Sequence, residues 1–276
     1  MRSSVIVAVL AWFVIAVPAY ATATQAVLRL SFGTFERSFT QRQLLARDDV
    51  QTLEIPADVA YGRAMTYKAV PLLSLLGAGA DSFDTIEARA TDGFVSQIPM
   101  SLVASARSGG SVPWIAVEDP REPWPTLPRK TTSAGPFFLV WQHPERSRMG
   151  PEQWPYALAA LSGVSSPDRR WPQMAVATTL SADAPERRGL GVFVKHCLSC
   201  HKINGAGEAS VGPDLARPMG PTEYMTEIGL RKLIRDPGSV RTWAEQKMAG
   251  FDTAALPDAE LDDLLAYLDH IAKRRE

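Results

Sequence analysis

The only two cysteines of this 276-residue chain stand three positions apart with a histidine directly after them, in Cys197-Leu198-Ser199-Cys200-His201. That C-x-x-C-H spacing fits one kind of covalent chemistry. Each thiol can add to one vinyl group of a haem, and the next imidazole then reaches the iron as proximal ligand. A thioredoxin-like redox pair needs a βαβ context, and a zinc site needs two further ligands at matching spacing; neither is evident. A single motif predicts one covalent haem c and argues against a di-haem peroxidase, which shows two. No thiol remains for a disulfide framework.

The N-terminus agrees with this chemistry. Arg2 gives a short basic start, Val5 to Val17 is apolar, Pro18 follows, and small-residue sites stand at Ala19-Tyr20-Ala21 and Ala21-Thr22-Ala23. This is the layout of a secretory signal over residues 1–23. The apolar run is shorter than the roughly 20 residues a spanning helix needs. A cleaved signal is therefore expected rather than a retained anchor, with the mature chain soluble and periplasmic. Roughly 250 residues then remain, room for two ordinary domains. A net charge of −1 argues against a nucleic-acid partner.

From about residue 183 to 276 the pattern is helical. Pro185 can open a helix running through Leu190, Phe193 and Val194 into the motif, with Gly189 and Phe193 on the face that Cys197 continues. Leu256-Pro257-Asp258-Ala259-Glu260 reads as a second helix start, with acidic residues favoured by the helix dipole. Leu261, Leu264, Leu265 and Leu268 form its apolar stripe, with Tyr267 beside it.

Residues Gly189, Phe193, Cys197, Cys200 and His201, with Leu264, Tyr267 and Leu268, make this region resemble a class I cytochrome c over roughly 90 residues. The resemblance implies that the first and last helices cross at Gly189, with Phe193 and Tyr267 packed there. It implies His201 as one axial ligand of the iron. It also points to Met248, in Lys247-Met248-Ala249-Gly250, as the other, although the family's usual proline is replaced by Ala249. A thioether there raises the potential relative to a second imidazole. Met219 and Met225 remain as alternatives, otherwise read as gap fillers. In Val211-Gly212-Pro213-Asp214-Leu215 the resemblance assigns the Pro213 carbonyl to the proximal imidazole; an ordinary Gly-Pro turn is the plain reading. Trp243 has two readings, a hydrogen bond to a haem propionate or a core aromatic. His196 is expected to be solvated or packed, His270 to lie on the polar side of the last helix, and His143 to belong to the other domain.

Residues 24–165 read as mixed α and β. Leu28, Leu30 and Phe32 alternate, as do Leu53 and Ile55. Thr40-Gln41-Arg42-Gln43 is a capping box. Pro71 fits the first turn of a helix bearing Leu72, Leu73, Leu75 and Leu76. Asp92-Gly93 joins Ile86–Ala90 to Phe94–Ile98 as a hairpin, and Trp114–Val117 and Phe137–Trp141 read as strands. Val70-Pro71-Leu72-Leu73-Ser74-Leu75-Leu76 and Asp92-Gly93-Phe94 make this region resemble the small molybdopterin-binding domain of the sulfite-oxidase type. That family binds molybdenum through a cysteine, and here no cysteine exists outside the haem motif, so a domain without molybdenum is expected. Between Pro113 and Pro155 stand nine prolines and Trp114, Trp124, Trp141 and Trp154. They form either a docking or ligand surface around Trp124, Trp154 and Tyr156, or a small core under stiff loops.

The expectation is thus an α+β chain. A signal (1–23) precedes an α/β domain of sulfite-oxidase molybdopterin-domain type (24–165), a linker (166–182) and an all-α class I cytochrome c domain (183–276). The function expected first is a periplasmic carrier of single electrons, its haem edge at Cys197–Cys200 open to a periplasmic or membrane-bound redox partner. Two others stand beside it: an oxidoreductase whose first domain binds a substrate or cofactor, and a haem-based sensor or assembly factor.

Overall fold

The structure, a computed structural model, describes residues 25–244 and 246–275. The expected signal segment lies outside the described residues. Among those described, no helix is long and apolar enough to cross a membrane.

The N-terminal half is rich in sheet. Strand β1 (Val27–Phe32) buries Leu28, Leu30 and Phe32 on alternate positions and pairs antiparallel with β2 (Phe35–Thr40). Thr40 then caps helix α1 (Gln41–Leu45). Its hydroxyl accepts from the Gln43 N–H, and the Gln43 side chain accepts from the Thr40 N–H, so two otherwise orphaned donors are satisfied. Strands β3 (Gln51–Asp58) and β4 (Arg63–Pro71) follow as an antiparallel pair, with Leu53 and Ile55 inward.

The leucine run after Pro71 makes only one helical turn, α2 (Leu72–Leu75), shorter than the spacing predicts. Leu76 is already extended, and at Gly77 a Cβ would stand 2.4 Å from the Phe35 ring. That close approach of backbone to ring ends the helix where the leucine periodicity alone would have continued it.

Strands β5 (Thr85–Ala90) and β6 (Val95–Pro99) form the hairpin whose turn is marked by Asp92-Gly93, with Gly93 at φ +89°. After helix α3 (Met100–Ala104) come β7 (Val112–Val117), β8 (Phe137–Gln142) and β9 (Leu158–Val164). Two sheets result: a mixed five-stranded sheet in the order β2-β1-β9-β5-β6 and an antiparallel four-stranded sheet in the order β3-β4-β7-β8. One apolar cluster lies between them, from Leu28 to Leu161. Trp114, Trp141 and Trp154 belong to that cluster, so these indoles fill a core. Trp124 and Tyr156 are only half-buried; Trp124 meets Tyr67 edge to face at 4.8 Å.

Residues 166–182 carry helix α4 (Pro167–Arg170) and then Met174 and Val176, both buried in a second apolar cluster that extends to Ile271. Around that cluster lie helices α5 (Pro185–His196), α6 (Pro221–Tyr224), α7 (Glu227–Arg235), α8 (Pro237–Val240) and α9 (Asp258–Ala272).

The dominant contact of this half is the crossing of α5 and α9. A Cβ on Gly189 would stand 2.0 Å from the Asp263 carbonyl oxygen and 2.7 Å from Tyr267 Cβ, so only glycine lets the two backbones meet. One turn on, Phe193 packs on Tyr267 with ring centroids 5.6 Å apart, both fully buried. The Tyr267 hydroxyl donates to the Met174 carbonyl at 2.8 Å, tying the 166–182 segment to the crossing. Arg188 closes the exposed side with a two-pronged pair to Asp263. His270 accepts from the Ala177 N–H at 3.1 Å, so this histidine is a structural acceptor.

Gly189→Ala places a methyl group against a backbone carbonyl that cannot rotate away. Overpacking of this kind typically costs about 1–3 kcal/mol. Denaturant unfolding followed by helical signal should show that loss, whereas Gly191→Ala, inside the same helix where a Cβ meets nothing within 4 Å, should raise stability by about 0.5–1 kcal/mol through helix propensity.

Candidate functional site

Helix α5 ends at His196, and the chain then turns tightly through the cysteine motif. The Cys197 N–H donates to Phe193 O at 2.8 Å, and Cys197 O accepts from the N–H groups of Cys200 (3.0 Å) and His201 (2.8 Å). Both thiols are free and half-buried. Burial pushes both up from the ordinary thiol range, and the Glu152 carboxylate adds to the push on each.

His201 is oriented from the far side of the loop. Its Nδ1 lies 2.8 Å from Pro213 O, so Nδ1–H donates and Nε2 carries the free lone pair. Burial lowers its pKa, outweighing the Pro213 carbonyl and Asp214, which both raise it; the neutral ring that can ligate a metal is favoured. Gly212 makes this possible: a Cβ there would sit 2.3 Å from the imidazole.

Asp214 holds the intervening loop. Its carboxylate accepts from the N–H groups of Asn204 (2.9 Å), Gly205 (2.7 Å), Ala216 (2.8 Å) and Arg217 (3.0 Å). The Asn204 side chain in turn accepts from Arg217 Nε. The segment from His201 to Pro213 is therefore pinned at both ends. Asp214 stands inside the segment the sequence singles out, but its role depends on bonds to residues ten positions back.

The methionines are placed differently from one another. Met248 is half-buried and packs on the second apolar cluster, in the loop between α8 and α9. Met225, also half-buried, lies with Thr222, Leu230 and Leu265 along a surface cleft. Met219 is 49% exposed. Trp243 is 47% exposed, with the Arg241 guanidinium 5.6 Å from its ring centre, so it does not act as a core aromatic.

Sequence reading misses the residue that fixes the Met248 loop. Arg235, at the end of α7, donates to the carbonyls of Phe251 (3.0 Å), Asp252 (3.2 Å) and Leu256 (2.5 Å) and pairs with Asp258 at 2.6 Å. Phe251 N–H returns a bond to Ile234 O at 3.0 Å. Gly250 lies so close to the same turn that a Cβ would be 2.2 Å from Arg235 O. An arginine near a helix C-terminus carries no sequence signal that it will serve a loop 16 residues later.

The donor set fits a haem of the c type: two free thiols, an imidazole with Nδ1 engaged and Nε2 available, and a thioether on a clamped loop. Residues 187–272 match the family model for cytochrome c. The helical C-terminal half is thus a cytochrome c domain, and the family implies covalently bound haem c and electron transfer. No curated protein is similar enough to the chain to match it.

Arg235→Ala removes three charge-assisted bonds to one loop. Such bonds contribute about 2 kcal/mol each when buried, and less where water replaces them. The variant should keep its covalent haem but lose much of the methionine-to-iron absorption of the ferric state on mild warming, at a temperature where the parent retains it.

Proposed function

We propose that the chain is an exported mono-haem c-type cytochrome that passes single electrons between redox proteins, with its sheet-rich half as a docking or ligand-binding module. The observation that carries this reading is the 2.8 Å bond from His201 Nδ1 to Pro213 O, which presents Nε2 alone for axial ligation. Cys197 and Cys200 would hold the haem through thioethers, His201 would supply one axial ligand and the Met248 thioether the other. When bound, the haem supplies a one-electron ferric–ferrous couple. With His201 and Met248 both holding the group, the chain would leave no ligand position for a substrate, which would suit a carrier.

The chain's remaining residues serve that task by holding geometry. Pro213 and Gly212 fix the imidazole plane, Asp214 keeps the loop between them in place, and Arg235 limits the travel of Met248. Small structural change between oxidation states favours rapid electron exchange. Trp243 Nε1–H is the indole donor assigned to a propionate, a role its exposed position on the same loop supports. The partner is a periplasmic or membrane-bound one-electron protein. For the N-terminal region, the resemblance of Val70–Leu76 and Asp92-Gly93-Phe94 to the molybdopterin-binding domain supports a module of that type. The absence of any cysteine outside the motif supports a role without molybdenum.

Met248→Ala tests the assignment. The variant should keep its haem through denaturation, lose the methionine-to-iron band, and bind carbon monoxide when reduced, which the parent should not. Persistence of the band would move the ligand to Met219 or Met225. Carbon monoxide binding by the parent would favour the sensor reading, and a stoichiometric second cofactor on cofactor analysis would favour the oxidoreductase.

A further inference from the structure

The sheet-rich half does not stand apart from the cysteine motif. A turn at residues 147–153 rests on the last turn of α5, directly before Cys197. Gln153 organises it: its side chain accepts from Gly150 N–H at 2.8 Å and donates to the Lys195 carbonyl, and its own carbonyl accepts from the Trp141 indole at 2.8 Å. Ser96 holds the Glu152 carbonyl at 2.7 Å, Lys195 reaches the Ser147 carbonyl at 3.4 Å, and Arg148 pairs with Glu260 of α9 at 2.7 Å. A second clamp lies in the loop after the motif, where Arg89 of β5 pairs with Glu208 at 2.8 Å.

Inside this seam two polar side chains face each other without hydrogen bonds. His196 is 2% exposed and neither ring nitrogen has a partner; Glu152 Oε2 is likewise buried and unpartnered, 3.8 Å from His196 Nδ1. Phe251, three residues after Met248, closes the other side of the imidazole at 5.4 Å. The fit leaves no slack, since a Cβ on Gly150 would lie 2.7 Å from Glu152 Oε2 and 2.9 Å from His196 Nδ1.

A carboxylate is a costly group to bury in such a place. Glutamine would fill the same space without the charge, and the seam already has its bonds through Gln153, Ser96 and Arg148. What Glu152 alone adds is a carboxylate 3.8 Å from the imidazole of the residue preceding Cys197, whose charge acts on both cysteine thiols. The other charged groups facing the seam are Lys195, Arg148 and Glu260, of which Arg148 and Glu260 already pair with each other.

We propose that Glu152, delivered by the N-terminal half to the cysteine edge, sets the reduction potential of the haem centre by disfavouring the added electron. This deepens the electron-carrier reading and rests on it. The step is a one-electron transfer from a protein donor that takes the centre from ferric to ferrous; no bond forms or breaks at Glu152. The sequence predicts a cysteine edge open to a partner; in the structure the turn at residues 147–153 lies against Lys195 and His196, directly before that edge.

The test is spectroelectrochemical titration of the full-length haem protein as parent, Glu152→Gln and Glu152→Asp. Loss of the charge should move the equilibrium toward the ferrous state by about tenfold, which is 59 mV for one electron. The aspartate variant should stay near the parent, and the methionine-to-iron band should be the same in all three. A Glu152→Gln potential equal to the parent's would overturn the proposal while leaving the carrier reading intact. So would an aspartate variant displaced from the parent by that same tenfold, because packing and not charge would then be the cause; this comparison needs only the parent and stands even if the glutamine variant does not fold. A parent with no reversible covalent haem would overturn the carrier reading and the proposal together.

Discussion

The close approach of α5 to α9 at Gly189 is the contact on which the functional site depends. Bringing one helix backbone against the Asp263 carbonyl of the other leaves no room for any side chain at that point. It also fixes two chain segments at once. The C-terminal end of α5 presents Cys197, Cys200 and His201, and the segment entering α9 carries Met248. The donors assigned to one haem thus come from parts of the chain almost fifty residues apart, held in register by a buried Phe193–Tyr267 contact. Both rings are fully buried, and removing such a side chain typically costs about 3–5 kcal/mol.

Around that crossing the loops are stiffened by polar groups and not by apolar burial. Asp214 gathers four backbone N–H groups, and Arg235 gathers three carbonyls. Each satisfies backbone that would otherwise turn to water and so restrains the loops beside His201 and Met248. The sheet-rich half contributes a third restraint. It grips α5 through Gln153 and the loop after His201 through Glu208, which makes the two halves one mechanical unit at the motif.

Local signals were legible and long-range ones were not. The cysteine motif, the Thr40–Gln43 capping box, the Asp92-Gly93 hairpin and the inward alternation of Leu28, Leu30 and Phe32 are written in spacings of two to five residues. The Gly189–Phe193–Tyr267 contact and the Pro213 bond were reached through family resemblance, because their partners lie 12 or more positions away. Composition could not say that Gly77 meets Phe35, which cuts the Leu72–Leu76 helix to one turn. Nor could it decide between the two readings of His196, solvated or packed, which a turn arriving from residues 147–153 settles by burying it. The tryptophans of the proline-rich stretch divided according to burial, three into the core and Trp124 onto its rim, a distinction that depends on sheet packing alone.

The most direct test is the intact mass of the purified protein under denaturing conditions, followed by peptide mapping. The account predicts one haem added to the chain and carried on the peptide that contains Cys197, Cys200 and His201. A chain with two unmodified thiols, or one whose haem leaves on denaturation, would contradict it.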